Sequence, residues 1–162
     1  MNTQQRFMRR GVTKFFFLKT IAGTDNVPVR PELTGANATE LSGAISDIAG
    51  WSLANSPIDT PDMGSTLTTN IPGEDKADSS SLTFYEDQVT DTIETLLKKS
   101  VTGFIVIMRK GDIEASRSMD VFPVRVASRA PSYSAGNDPA KFMVTFAISG
   151  QPTLDAAVPA AS

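Results

Sequence analysis

Residues 141–149 read KFMVTFAIS. Phe142, Val144, Phe146 and Ile148 alternate with Lys141, Met143, Thr145, Ala147 and Ser149. A period of two places the two sets on opposite faces of one β-strand. The first face, aromatic and branched, has to be buried. The second is too small and mild for another core, and too weakly charged for an ordinary solvated surface. Strand parity separates the two faces but does not say what the second one meets.

The neighbouring stretches extend this β pattern. Val101–Arg109 is a nearly continuous apolar run, as expected of a buried strand. Arg117–Arg129 is a further strand. It has Phe122, Val124 and Val126 on one side and Met119, Val121, Arg125, Ala127 and Arg129 on the other. Pro123 lacks a backbone donor, which places it at an edge or a bulge. Ser80–Tyr85 is a short strand. Val12–Ile21 is another, with three consecutive Phe giving apolar groups on both faces. Glu40–Leu53 alternates loosely and ends near Trp51, the single Trp, which is expected to anchor the core. Gly23–Ala38 and the PSYSAGNDPA stretch read as turns and loops.

Residues 55–80 form a long hairpin or projecting loop, rich in Pro, Gly and acids, with a strand at Thr66–Ile71. Its Asp59, Asp62, Glu74, Asp75 and Asp78 lack the spacing of a calcium loop, and a solvated acidic loop is the better reading. One helix is expected over 87–99. Val89, Ile93, Leu96 and Leu97 make its apolar stripe, Asp91 and Glu94 resemble a capping box, and Lys98 and Lys99 lie at its C-terminal end. Residues 1–11 are a polar, basic arm containing Phe7 and Met8. Residues 151–162 are an Ala/Pro-rich extension. The sum is a single domain, mainly β (α+β): a β-sandwich or half-barrel with one flanking α-helix, extended N- and C-terminal arms and a long loop.

Composition removes most chemistry. The 162 residues include no Cys and no His. Disulfides, cysteine zinc sites and Ser-His-Asp or Cys-His catalysis are therefore excluded within one chain. No lysine has a serine three residues before it, and no phosphate-binding glycine loop occurs. The chain reads as non-enzymatic, with no catalytic residue, no cofactor and no metal. A carboxylate-only hydrolase is a remote rival, because nothing in the acid spacing supports it. The net charge of −3 is unevenly spread. Residues 1–30 carry six Lys/Arg and one Asp, residues 31–100 carry three Lys/Arg and twelve Asp/Glu, and residues 101–162 carry six and five. A basic start and an acidic middle suit head-to-tail association between copies.

No stretch is long and apolar enough for a membrane span. Phe15–Leu18, closed by Lys19, is too short for a signal-peptide core. A transit peptide is a weak rival, since Thr13–Lys19 reads as a strand.

Five stretches in order, SPIDTPDMGS, IPGED, SSLTFYED, MDVFPVRV and GNDPAKFMVTFAISGQP, resemble the major tail tube proteins of long-tailed bacteriophages, especially those of actinobacteria. The likeness runs from about Val12 to Pro159. It implies a tail-tube-like sandwich with a flanking helix, copies joined in hexameric rings, and rings stacked into a hollow conduit for the genome. It further implies four strands per subunit in one inner barrel, with the arms and long loop bridging copies.

On this reading Lys141, Met143, Thr145 and Ala147 face the lumen. Arg125 and Lys141 are expected to pair with acids, because free cations would grip passing phosphates. Arg6, Phe7, Arg9, Arg10, Asp59, Asp62, Glu74 and Asp75 are expected at contacts between subunits. The partners implied are further copies, the tape measure, terminator and baseplate proteins, and DNA in transit. The location implied is the virion tail, after synthesis in the host cytoplasm, with no membrane insertion by this chain. The rival readings are a terminator or baseplate ring protein of similar fold, and a stand-alone ligand-binding β module.

Overall fold

The computed structural model describes residues 4–77 and 79–160. Residues 1–3 of the arm, Asp78 of the long loop and residues 161–162 of the C-terminal extension lie outside the described residues. In chain order the elements are β1 (Lys14–Leu18), α1 (Arg30–Thr34), β2 (Ala38–Glu40), a 3₁₀ turn (Ser42–Ala44), β3 (Ile45–Ala49), β4 (Leu53–Asn55), β5 (Ile58–Thr60) and β6 (Thr69–Ile71). Then follow β7 (Asp75–Ala77), β8 (Ser80–Tyr85), α2 (Thr92–Leu96), β9 (Thr102–Met108), β10 (Met119–Ser132), β11 (Lys141–Ile148) and β12 (Thr153–Ala156).

The main sheet runs β2-β1-β9-β10-β11-β8-β3, antiparallel throughout, with β12 added beside β10. Its end strands, β2 and β3, are joined only by Leu41 and the 3₁₀ turn. Five chain steps reach no more than about 18 Å. The sheet must therefore roll until its ends approach, and the architecture is a half-barrel. Leu41 N–H donates to the Phe15 carbonyl at 2.8 Å, and Phe15 N–H to Ser42 Oγ at 2.9 Å, which ties the turn to β1.

The inner face holds the main core. Phe142, Val144 and Phe146 of β11 meet Leu82, Phe84, Ile105, Phe122, Val124 and Val126, all buried. Leu41 and Leu97 plug the roll. Burying side chains of this size contributes about 1.5–3 kcal/mol each. Trp51 packs on Phe122 and Phe146, with ring centroids 5.4 and 5.5 Å away, and so anchors the core as expected. Its backbone is left-handed (φ 69°), next to Gly50 (φ 85°). This reversal turns the chain out of β3. A Cβ on Gly50 would lie 2.7 Å from the Ser79 carbonyl oxygen, so the turn accepts only glycine there.

The outer face is covered on one half only. Leu18, Val106, Met108, Met119 and Val121 pack under Leu33 of α1 and Val158 of the C-terminal segment. Arg30 holds that segment in place. It binds both carboxylate oxygens of Asp112 at 2.7 and 2.8 Å and the carbonyl oxygens of Pro159 and Ala160.

Several expectations need correction. The 87–99 helix shrinks to Thr92–Leu96. Asp87 accepts from Val89 N–H at 2.8 Å and from the Thr90 hydroxyl at 3.0 Å, a local turn of the kind that caps a helix, but no helix follows it before Thr92. Val89 is 90% exposed and is no part of the stripe, and Asp91 makes no side-chain cap bond. A second short helix, α1, stands within the expected Gly23–Ala38 loop. There Glu32 accepts from Val29 N–H at 3.1 Å. The C-terminal extension is not simply extended, because β12 pairs with β10.

Pro123 lies inside the sheet. Its carbonyl side faces the β11–β12 corner, where Ser149 N–H donates to it at 2.9 Å and no ladder donor is needed. Arg129 does not share a face with Arg125. A bulge between Val126 and Ser128 inserts Ala127, so Arg129 pairs with Val144 on the inner side.

Candidate assembly surface

The registers define the uncovered half of the outer face. Lys141 lies opposite Tyr85, Met143 opposite Thr83, and Thr145 opposite Ser81. β3 adds Asp47 beside Thr83 and Ala49 beside Ser81. β10 adds Arg125 beside Ala147, then Ser128, Ala130 and Ser132 beyond the bulge. The result is a four-stranded face, β10-β11-β8-β3, in which small Ser, Thr and Ala side chains lie among Lys141, Met143, Tyr85, Asp47 and Arg125. Met143 is 41% exposed and Ala147 is exposed, while Lys141 and Thr145 are half-buried. The four residues expected to share this face, Lys141, Met143, Thr145 and Ala147, do share it.

Its other members follow from SSLTFY, which alternates in the same way as KFMVTFAIS; that signal was readable in the sequence. Arg125 and Lys141 have no ion pair among the described residues. The Lys141 ammonium instead sits 5.3 Å from the centre of the Tyr85 ring, and the expected pairing with acids is not found among the described residues. Arg129, turned inward by the bulge, donates to the Glu94 carbonyl at 2.7 Å.

This face ends in unpaired strand edges on both sides. β3 is the last strand of the sheet and pairs only with β8. β9 accompanies β10 only as far as Arg125, so Ser128–Ser132 pair with β11 alone. Exposed edges of this kind are templates for another strand.

The residues expected at subunit contacts form two further groups. Beyond β3 and β8 the chain continues as a projecting ribbon, with β4 paired to β7 and β5 to β6. Asp59, Asp62, Glu74 and Asp75 all lie on it and are exposed. Asp62 accepts from Gly64 N–H at 2.8 Å, and Asp75 from the Asn55 amide at 2.7 Å. Ile58 opposes Ile71, and both are exposed. The expected Thr66–Ile71 strand begins only at Thr69.

In the arm, Arg6, Phe7, Arg9 and Arg10 are exposed. The Arg9 carbonyl accepts from Val12 and Thr13 N–H, which ties the base of the arm to β1. Arg9, Arg10, Ser42, Gly43, Ile45 and Tyr85 border a groove of about 620 Å³ beside the β3 edge. A larger open groove of about 840 Å³ lies between α2 and the β1–β2 side and is lined mainly by Thr, Ser and Ala with Lys19 and Asp91. Among the described residues no cluster of His, Cys, Asp or Glu could hold a metal ion.

The family described as phage tail tube protein matches residues 1–161. No curated protein matches the chain. Among solved structures, one chain of the anti-feeding prophage (AFP) baseplate has a TM-score of 0.61 at 11% identity, covering 95% of this chain and 99% of that one. A chain from the sheath/tube terminator structure of an extracellular contractile injection system, PVC, gives 0.60 at 13%, covering 93% and 98%. A chain from the tail of an empty gene transfer agent particle gives 0.54 at 11%, covering 93% and 98%. At these identities the likeness shows a shared fold.

Proposed function

The chain belongs to the phage tail tube protein family, and from that premise we propose that six copies close into a ring, that rings stack into a hollow tube, and that the genome leaves through it. Its role is structural, as a component of the virion tail. The observation that carries the ring reading is the open four-stranded face with a free edge at either end. Four is an even number, and all neighbours are antiparallel. The β10 edge of one copy therefore meets the β3 edge of the next in antiparallel sense, and the pattern repeats without interruption for any number of copies. Closure removes both free edges of this face. The structures described with sixfold symmetry, the AFP baseplate and the gene transfer agent tail, support six.

In the ring, Lys141, Met143, Thr145 and Ala147 line the bore. Thr145, Ala147 and the Ser, Thr and Ala residues of the flanking strands are small and keep it open. Its cations are few: Arg125 and Lys141 are balanced in part by Asp47, and Arg129 is held on the other face. The sparse charge limits binding of phosphates by counterion release. The basic arm and the acidic ribbon then make contacts between copies or successive rings. The terminator, tape measure and baseplate proteins are the expected partners at the tube's ends and interior. The chain is made in the host cytoplasm and carried in the virion.

Electron microscopy of the purified chain, alone and with the other tail proteins, tests this reading. We expect hollow tubes of stacked rings. Assembly that always stops at one ring would assign the chain to a terminator role. A protein that stays monomeric under all these conditions would contradict the reading.

A further inference from the structure

Tyr133 is 91% exposed, an unusual state for a large aromatic, and it lies just past the C-terminal end of β10, where that strand's edge is free. The registers give its level. Ile45, Phe84, Phe142 and Pro131 form one row across β3, β8, β11 and β10. If that row is carried into the next copy, Pro131 of one subunit lies level with Ile45 of its neighbour. Tyr133, two residues on, reaches the level of Gly43. By alternation it points to the same side as Pro131 and Arg129, away from the open face.

A groove is present at that place. It is the 620 Å³ space beside the β3 edge, bordered by Arg9, Arg10, Ser42, Gly43 and Ile45 and reaching round that edge to Asp47 and Tyr85 of the open face. A tyrosine suits it: the ring packs on Ile45 beneath the arginine guanidinium groups, and the hydroxyl meets polar atoms. The charges agree, because Asp138 is the only charged residue in the 133–140 turn and the groove carries Arg9 and Arg10 against the single acid Asp47.

We propose that Tyr133 of one copy anchors in the Arg9–Gly43–Ile45 groove of the next and so sets the register between subunits. The proposal rests on the ring reading. It adds a specific contact that the ring reading alone does not require.

The test uses the full chain. p-Benzoylphenylalanine in place of Tyr133 should cross-link, on irradiation of assembled material, to peptides containing residues 9–15 or 42–48 of another copy. Tyr133→Ala should raise the concentration needed for assembly about tenfold or more, as loss of an interface anchor does. Tyr133→Phe should change it far less. Gly43→Trp should also impair assembly by filling the groove, since a Cβ at Gly43 meets nothing within 4 Å and the subunit has room for it. Thermal unfolding of the unassembled Tyr133→Ala and Gly43→Trp chains should match the parent. Cross-links elsewhere, or normal assembly of Tyr133→Ala, would overturn the proposal while tubes of the parent chain left the ring reading standing. Failure of the parent to assemble under any condition would overturn both.

Discussion

Arg30 lies partly buried against Asp112, with 13% of its side chain exposed, and also binds the last described carbonyls of the chain. The hydrogen bonds from Arg30 hold the Asp112 carboxyl below the ordinary carboxylate range, against a smaller opposing effect of burial. A depressed folded-state value means that the contact stabilises the fold at neutral pH. That contribution is lost as the pH falls below about 4, the unfolded value, and through the folded one. Asp112→Asn should therefore cost about 1–2 kcal/mol near pH 7. The gap between variant and parent should close in acid, as measured by denaturant unfolding at stepped pH. This clamp was not readable in the sequence, since Arg30 and Asp112 are brought together only by the docking of α1 on the turn after β9. The alternation of KFMVTFAIS was readable, because side-chain parity is local.

At the scale of elements, the bulge at Ala127 matters most for function. It places Arg125 on the open face and Arg129 on the other. Arg129→Ala should destabilise the isolated subunit by about 1 kcal/mol through loss of its bond to Glu94. Arg125→Ala should leave the melting temperature nearly unchanged, since Arg125 has no ion pair among the described residues. Equal effects would mean that the register shift is absent. Strict alternation from Met119 put both arginines on one face, and one inserted residue is invisible to such a count. The helix was legible in its position but not its length. Its apolar spacing continues back to Val89, but the chain there closes only a turn on Asp87, and Val89 is left exposed. The long loop was legible as a projection from its Pro and Gly content, whereas its ribbon pairing depends on the partner strand.

For the whole molecule, charge separation and free edges point the same way. Arg6, Arg9 and Arg10 stand at the basic end, and Asp59, Asp62, Glu74 and Asp75 on the acidic ribbon. Replacing the three arginines by Glu should stop tube growth while the subunit unfolds at an unchanged temperature. Tubes of normal length from that variant would remove the arm from the interface. The rolled sheet itself was only half legible: strand count and core parity were readable, but the choice between sandwich and barrel depended on the short link from β2 to β3.

The most direct measurement exploits the absence of cysteine in the chain. Ala49 and Ser128 occupy one row of the open face, at its opposite edges. A chain carrying Ala49→Cys with Ser128→Cys, and a second carrying Ala49→Cys with Ala130→Cys to allow for stagger between copies, should be oxidised after assembly. A ladder of disulfide-linked species ending at a closed hexamer in either chain is the expected result. Oxidised assemblies that remain monomeric on denaturing gels with both pairs would show that β3 and β10 do not meet, and that this face does not close a bore.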